Sequence, residues 1–365
     1  MTTKVLISSD VIETSVSNAV AHRITYHSYD LKGRPTTASG LVIAPARAGS
    51  DRKVMTWCHG TTGMGDAACP SAQPDPASEL KTYFESGSQT QIDYGIPGLQ
   101  GFIDDDYVVV ATDYQGLGTE GVHQYTVNRT NGIDGIRIVH AARELEVGAG
   151  NRVGVVGWSQ GGAAAAAAAE LDAADYGDLT LVGSAPISPG VPIIALREGT
   201  GLSASLATSD IPPDGHLFMN LAALAVAFPD TLSLSDVFTP VGIEIFETNW
   251  NIQPVHHLTD ILGRAYKHQG QVMQVDQSKF PQWMAAFTEA SATREKPVCP
   301  IHVSIDSQGG GTVCPVSWQT GYADAMTKLG GVVTTQEYPN DDHFSLPQSC
   351  IADVREWLNG LFAAN

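Results

Sequence analysis

The run Arg152-Val153-Gly154-Val155-Val156-Gly157-Trp158-Ser159-Gln160-Gly161-Gly162, followed at once by Ala163 to Ala169, constrains this chain more than any other stretch. Its first half is a short β-branched apolar run, of the kind that fills a strand buried on both faces of a parallel sheet. Its second half is alanine-rich and favours helix. No loop separates the two, so the chain turns sharply from strand to helix with Ser159 at the apex. Gly-x-Ser-x-Gly in that setting is a nucleophile elbow. The tight turn needs glycines on either side of the serine, and strain in the serine backbone lifts its Oγ above the sheet. The helix N-terminus then lies beneath any negative charge that develops there. A buried parallel strand needs neighbours, so this feature already predicts an α/β fold.

The rest of the chain keeps the same rhythm. His22 to Tyr29 and Thr37 to Ile43 read as an opening hairpin around Gly33-Arg34-Pro35. Lys53 to Cys58, Tyr107 to Thr112, Leu179 to Ile187, Pro300 to Ile305 and Val332 to Tyr338 read as further strands. Ile133, Ile136, Val139, Ala142 and Leu145 recur at helical spacing, and Ile351, Val354, Leu358 and Phe362 define a C-terminal helix that packs on the sheet. Two stretches break the rhythm. Gly63 to Asp106 is rich in Pro, Ser and Asp, with room for one helix. Pro189 to Pro297 is too long and too apolar to be a structureless loop. We read it as a helical cap inserted into one core, giving core residues 1–188, a cap at 189–297 and core again at 298–365.

Composition narrows the function. Of 365 residues, 43% are hydrophobic and 16% charged, which excludes a disordered chain. Lys and Arg total 20 against 39 Asp and Glu, a formal net charge of −19. That balance argues against nucleic acid, whose binders must neutralise phosphates, and against anionic membrane surfaces. No run is long and apolar enough for a membrane span, so stable membrane insertion is not expected. Met1-Thr2-Thr3-Lys4 carries no apolar signal region. The expectation is a cytosolic protein, or a secreted one whose leader has been removed. Five cysteines without a Cys-x-x-Cys make neither a disulfide scaffold nor a zinc site. Buried inert thiols are the simplest reading, with one or two disulfides as the alternative.

A serine hydroxyl is a weak nucleophile and needs a base. On this kind of scaffold the order along the chain is Ser, then Asp or Glu, then His. His343, in the loop after the last strand, fits. His302 lies inside a strand, and His216, His256, His257 and His268 fall in the insertion. The acid is expected at the carboxyl end of the preceding strand, where Asp306 stands; Asp341 and Asp342 are its rivals. Its role would be to set the imidazole tautomer and stabilise imidazolium. Two backbone amides are needed for an oxyanion hole. Gln160, after the nucleophile, supplies one, and Thr61 (or Thr62) in His59-Gly60-Thr61-Thr62-Gly63 supplies the other. His59 is read as structural.

His59-Gly60-Thr61-Thr62-Gly63, Asp113-Tyr114-Gln115-Gly116-Leu117-Gly118, Gly157-Trp158-Ser159-Gln160-Gly161-Gly162 and the late His343 together resemble the secretory lipase family of α/β-hydrolases. The resemblance runs from about Arg23 to the C-terminus. It implies an α/β-hydrolase fold: a mostly parallel central sheet, helices on both faces, an inserted helical cap, and carboxylester hydrolysis without a cofactor. The chain departs from the family pattern at Gln308 to Pro315, where Gly311 stands in the place of the family's aspartate, and this leaves Asp306 as the acid.

The expected activity is therefore hydrolysis of small neutral esters through Ser159, His343 and Asp306, because an acidic protein repels anionic substrates. An acyltransferase with an alcohol acceptor, or an amidase, could use the same machinery. Trp158, Leu217, Phe218 and Leu221 are the candidate substrate contacts; the last three share a helical face that would equally suit packing. Gly116-Leu117-Gly118-Thr119-Glu120-Gly121 matches a dinucleotide fingerprint, but no helix opens at its end, so no nucleotide is expected. No metal is expected either, since His256-His257 lacks a carboxylate cluster. Asn128-Arg129-Thr130 is a sequon by chance.

Overall fold

The computed structural model describes residues 4–197, 214–307 and 314–364. Nine strands form one sheet: β1 (Leu6–Ile12), β2 (Ala19–Tyr29), β3 (Pro35–Pro45), β4 (Arg52–Cys58), β5 (Tyr107–Gln115), β6 (Ala149–Trp158), β7 (Thr180–Ile187), β8 (Ile301–Asp306) and β9 (Val333–Tyr338). Their spatial order is β1-β2-β3-β5-β4-β6-β7-β8-β9. The first three strands and β5 pair antiparallel, and from β5 through β9 every pairing is parallel. The expected hairpin is β2–β3, in register from Ala19–Pro45 to Tyr29–Pro35.

Successive residues of the central strands point to opposite faces, and helices cover both. On one face Val54, Val108, Val110, Val153 and Val155 pack with α2 (Asn128–Arg143) and α3 (Gln160–Ala168). On the other, Met55, Trp57, Val109 and Val156 pack with α1 (Leu99–Asp104) and the C-terminal helix α11 (Leu346–Ala364). Ala163 to Ala169 are wholly buried; their small side chains let α3 lie close against the sheet and beside α2. After α3, the short α4 (Ala173–Tyr176) leads into β7.

Between β7 and β8 the described residues carry the helices α5 (Pro192–Arg197), α6 (Gly215–Ala227), α7 (Pro240–Asn249), α8 (Val255–Gln269) and α9 (Phe280–Ala290), joined by irregular segments. Helix α10 (Val316–Lys328) links β8 to β9. The insertion is tied to the core through backbone. Val255 N donates to Thr62 O at 2.9 Å, and Gly63 bridges Pro254.

The sequence reading omits β1. Five of its seven residues face solvent, so it carries no buried alternation. It is held instead by β2 and by the Glu144 carboxylate, which accepts from Val5 N at 2.7 Å and Leu6 N at 3.1 Å. All five cysteines are free and buried. Asn128 of the sequon is buried, with its Oδ1 accepting from Ala292 N. No described helix is long and apolar enough to cross a membrane. The glycine stretch through Gly311 lies outside the described residues.

Candidate active site

Ser159 joins β6 to α3 with φ 59° and ψ −116°. A positive φ is costly for a serine and persists only where its surroundings impose it. Here Ser159 N donates to Ile187 O at 3.0 Å, while its carbonyl accepts from Gly190 N at 3.0 Å and Ala163 N at 3.1 Å. The flanking glycines are required by space. A Cβ on Gly157 would lie 2.1 Å from Gly161 O, and one on Gly161 would lie 1.9 Å from Cys58 O. Cys314 lies against this serine and Asp306; burial pushes its thiol up to about 12, and the Ser159 hydroxyl pulls it the other way.

His343 follows β9 and Asp306 ends β8, so two successive parallel strands deliver them to the same sheet edge as Ser159. Both are buried. His343 Nδ1 is 3.7 Å from Asp306 Oδ2. The Ser188 hydroxyl, just past β7, lies between them, 2.8 Å from Asp306 Oδ2 and 2.9 Å from His343 Nδ1. The rival aspartates are engaged elsewhere. Asp341 accepts from Ser349 Oγ, and Asp342 accepts from Phe344 N and Ser345 N in a local turn. Trp158 Nε1 donates to His343 O at 2.8 Å and so ties the histidine loop to the serine's own strand.

The His59–Gly63 loop follows β4. His59 places Nδ1 2.6 Å from Gly60 O and Nε2 3.2 Å from Asp113 O, and burial lowers its pKa, so it holds the loop as a structural residue. Thr61 Oγ1 pairs with Tyr125 OH at 3.0 Å. Gln160, the first residue of α3, donates from Nε2 to His123 Nε2 at 2.7 Å. His123 in turn faces Gln115 O through Nδ1, and burial pushes it down to about 3, so it stays neutral and can accept. Asp113 accepts from Ser39 Oγ and Ser71 N, pinning the turn after β5.

Thr61, Trp158, Ser159, His343 and Phe344 line one cavity with Asp93, His216 and His256. The last three were not anticipated. Asp93 comes from the Gly63–Asp106 stretch; burial pushes it up to about 7, and Tyr83 N donates to it at 2.7 Å. His216 from α6 pairs with Asp214 at 3.2 Å. His256 from α8 stacks on Tyr83 with centroids 3.8 Å apart, and burial together with His216 lowers it to about 4. The expected contacts Leu217, Phe218 and Leu221 do not line this cavity. Phe218 and Leu221 are buried in the core, Phe218 against Phe238 at 4.4 Å, and Leu217 packs on the same cluster. The apolar face of α6 is a packing face, and the residue it offers to the cavity is His216. Among the described residues no cluster of His, Cys, Asp and Glu is arranged to hold a metal.

A mostly parallel sheet flanked by helices, with a serine on a strained strand–helix elbow, defines an α/β-hydrolase. The secretory lipase family model matches residues 77–198, a stretch that contains Ser159, Gln160 and Ser188. No curated protein matches the chain. Among solved structures, the ligand-bound rice cell wall degrading esterase LipA from Xanthomonas oryzae superposes with a TM-score of 0.71 at 20% identity, covering 96% of this chain and 97% of that one. Candida antarctica lipase A in its closed state also gives a TM-score of 0.71, at 15% identity, covering 99% of this chain and 82% of that one. The fold is shared with both, and the family match supports an ester hydrolase of the lipase and esterase class.

Proposed function

We propose that this protein is a serine carboxylic ester hydrolase acting on small neutral esters. The observation that carries the reading is Ser159 on its strained elbow, lining one cavity with a buried histidine whose Nδ1 faces a buried aspartate. In this mechanism His343 takes the Ser159 proton as the serine oxygen attacks the ester carbonyl. The amides of Gln160 and Thr61 stabilise the oxyanion, an effect worth about 3 kcal/mol per donor. His343 then protonates the leaving alcohol, an acyl-enzyme forms on Ser159, and water activated by His343 releases the acid. Asp306 keeps the imidazole oriented. The helices of residues 189–297 act as a cap: α6 and α8 each place a histidine in the cavity.

A lining that mixes Trp158 and Phe344 with Asp93, His216 and His256 suits neutral esters with polar portions better than a long acyl chain. The test is hydrolysis of short p-nitrophenyl esters by the parent and by Ser159→Ala. The variant is expected to keep its thermal transition and lose all measurable turnover; retained turnover would remove Ser159 from the mechanism. A chain-length profile from acetate to long-chain triglyceride is expected to peak at short acyl groups.

A further inference from the structure

Ser188 occupies the gap between the acid and the base. It is fully buried, with φ 42°, and its N donates to Ser304 O at 2.9 Å, so it is pinned between β7 and β8. The 3.7 Å between His343 Nδ1 and Asp306 Oδ2 is too long for a hydrogen bond, whereas the Ser188 hydroxyl is within bonding distance of both. Asp306 Oδ1 is buried and has no hydrogen-bond partner among the described residues. Ser188 is therefore the one side chain among the described residues that donates to this carboxylate.

The direction of the two bonds follows from proton counting. A hydroxyl carries one proton and an ionised carboxylate none. The Ser188 proton points to Asp306, and its oxygen accepts from Nδ1–H of His343. The proton is thereby fixed on Nδ1, and Nε2 is left bare for Ser159. We propose that Ser188 is a positioning residue that relays the charge of Asp306 to His343, holding the base in its productive tautomer and supporting the imidazolium form. No proton passes along the relay, since Ser188 keeps its own throughout. The proposal rests on the serine hydrolase reading above. The other titratable groups facing His343 are Asp342 in its own loop and Asp93, His216 and His256 across the cavity, and none of them bonds its Nδ1.

The experiment compares pH profiles of kcat on a short p-nitrophenyl ester for the parent, Ser188→Ala, Ser188→Gly and Ser159→Ala. Both Ser188 variants are expected to lower kcat about 10- to 100-fold, a share of what general acid–base catalysis contributes, with KM changed less than about twofold. Their acid limb is expected to move to lower pH, because imidazolium has lost its acceptor. Glycine adopts a positive φ without strain. If Ser188 serves only the backbone, Ser188→Gly keeps the parental rate and profile, and the relay is overturned. A loss of rate with the acid limb unmoved, or moved to higher pH, overturns it as well. Activity retained by Ser159→Ala overturns the hydrolase reading and the relay with it. An inactive Ser159→Ala beside a normal Ser188→Gly overturns the relay alone.

Discussion

Trp158 serves two neighbours at once. It lines the cavity beside Ser159, and its indole N–H holds the carbonyl of His343. Trp158→Phe keeps most of the apolar contact but leaves that carbonyl without its donor, at a cost of about 1–3 kcal/mol in urea unfolding. A several-fold drop in kcat is expected with it, as the histidine loop loosens. Asp306→Asn is expected to lower kcat by about 10³- to 10⁴-fold, as a mis-set tautomer does; near-parental turnover would pass the acid role to another carboxylate. That Ser159, Asp306 and His343 would meet at one edge of the sheet was legible in the sequence, because each follows or ends a parallel strand in a recognisable order. Asp93, His216 and His256 were not, because tertiary packing alone brings the loop and the insertion to the same cavity. Ser188 left one faint signal: a polar residue directly after Ile187, at the end of the strand that neighbours the nucleophile strand.

At the scale of elements, the buried strands and long helices were legible because their apolar periodicity matches their burial. Helix α6 shows where that signal is ambiguous. Its apolar stripe suits a substrate channel or a packed core equally well, and only the neighbouring Phe238 decides for the core. Phe218→Ala is accordingly expected to cost about 3–5 kcal/mol of stability and to leave KM for a short ester near its parental value. Strand β1 was illegible because its contacts are backbone pairing and the Glu144 carboxylate. Glu144→Ala removes that anchor. Amide hydrogen exchange is expected to accelerate over Leu6–Ile12 and to stay unchanged in β4–β6.

At the scale of the whole molecule, the buried titratable groups make stability pH-dependent in opposing directions. Burial pushes Asp134 up to about 7 from its usual 3.8. Below about 4 it is protonated in both folded and unfolded chains. Between about 4 and 7 the unfolded chain releases a proton that the folded chain keeps, so this contribution is lost as pH rises through 7. His123, pushed down to about 3, works the other way: the unfolded chain takes up a proton below about 6.5, and stability falls with pH. Asp134→Asn removes the first effect. Its thermal transition, measured against the parent at pH 5 and pH 8, is expected to improve relative to the parent at the higher pH. The sheet order itself, with β5 lying between β3 and β4, is a tertiary choice that local sequence patterns do not encode.

The five free thiols bear on how the chain reaches its native state. The fold is complete without a sulfur–sulfur bond, so the chain can reach it in a reducing medium. Burial also keeps Cys58, Cys299, Cys314 and Cys350 near 12, far from the thiolate form that would exchange with an oxidant. The folded molecule therefore resists thiol oxidation, and the vulnerable stage is the unfolded chain, where all five sulfurs are exposed at once and can pair with one another.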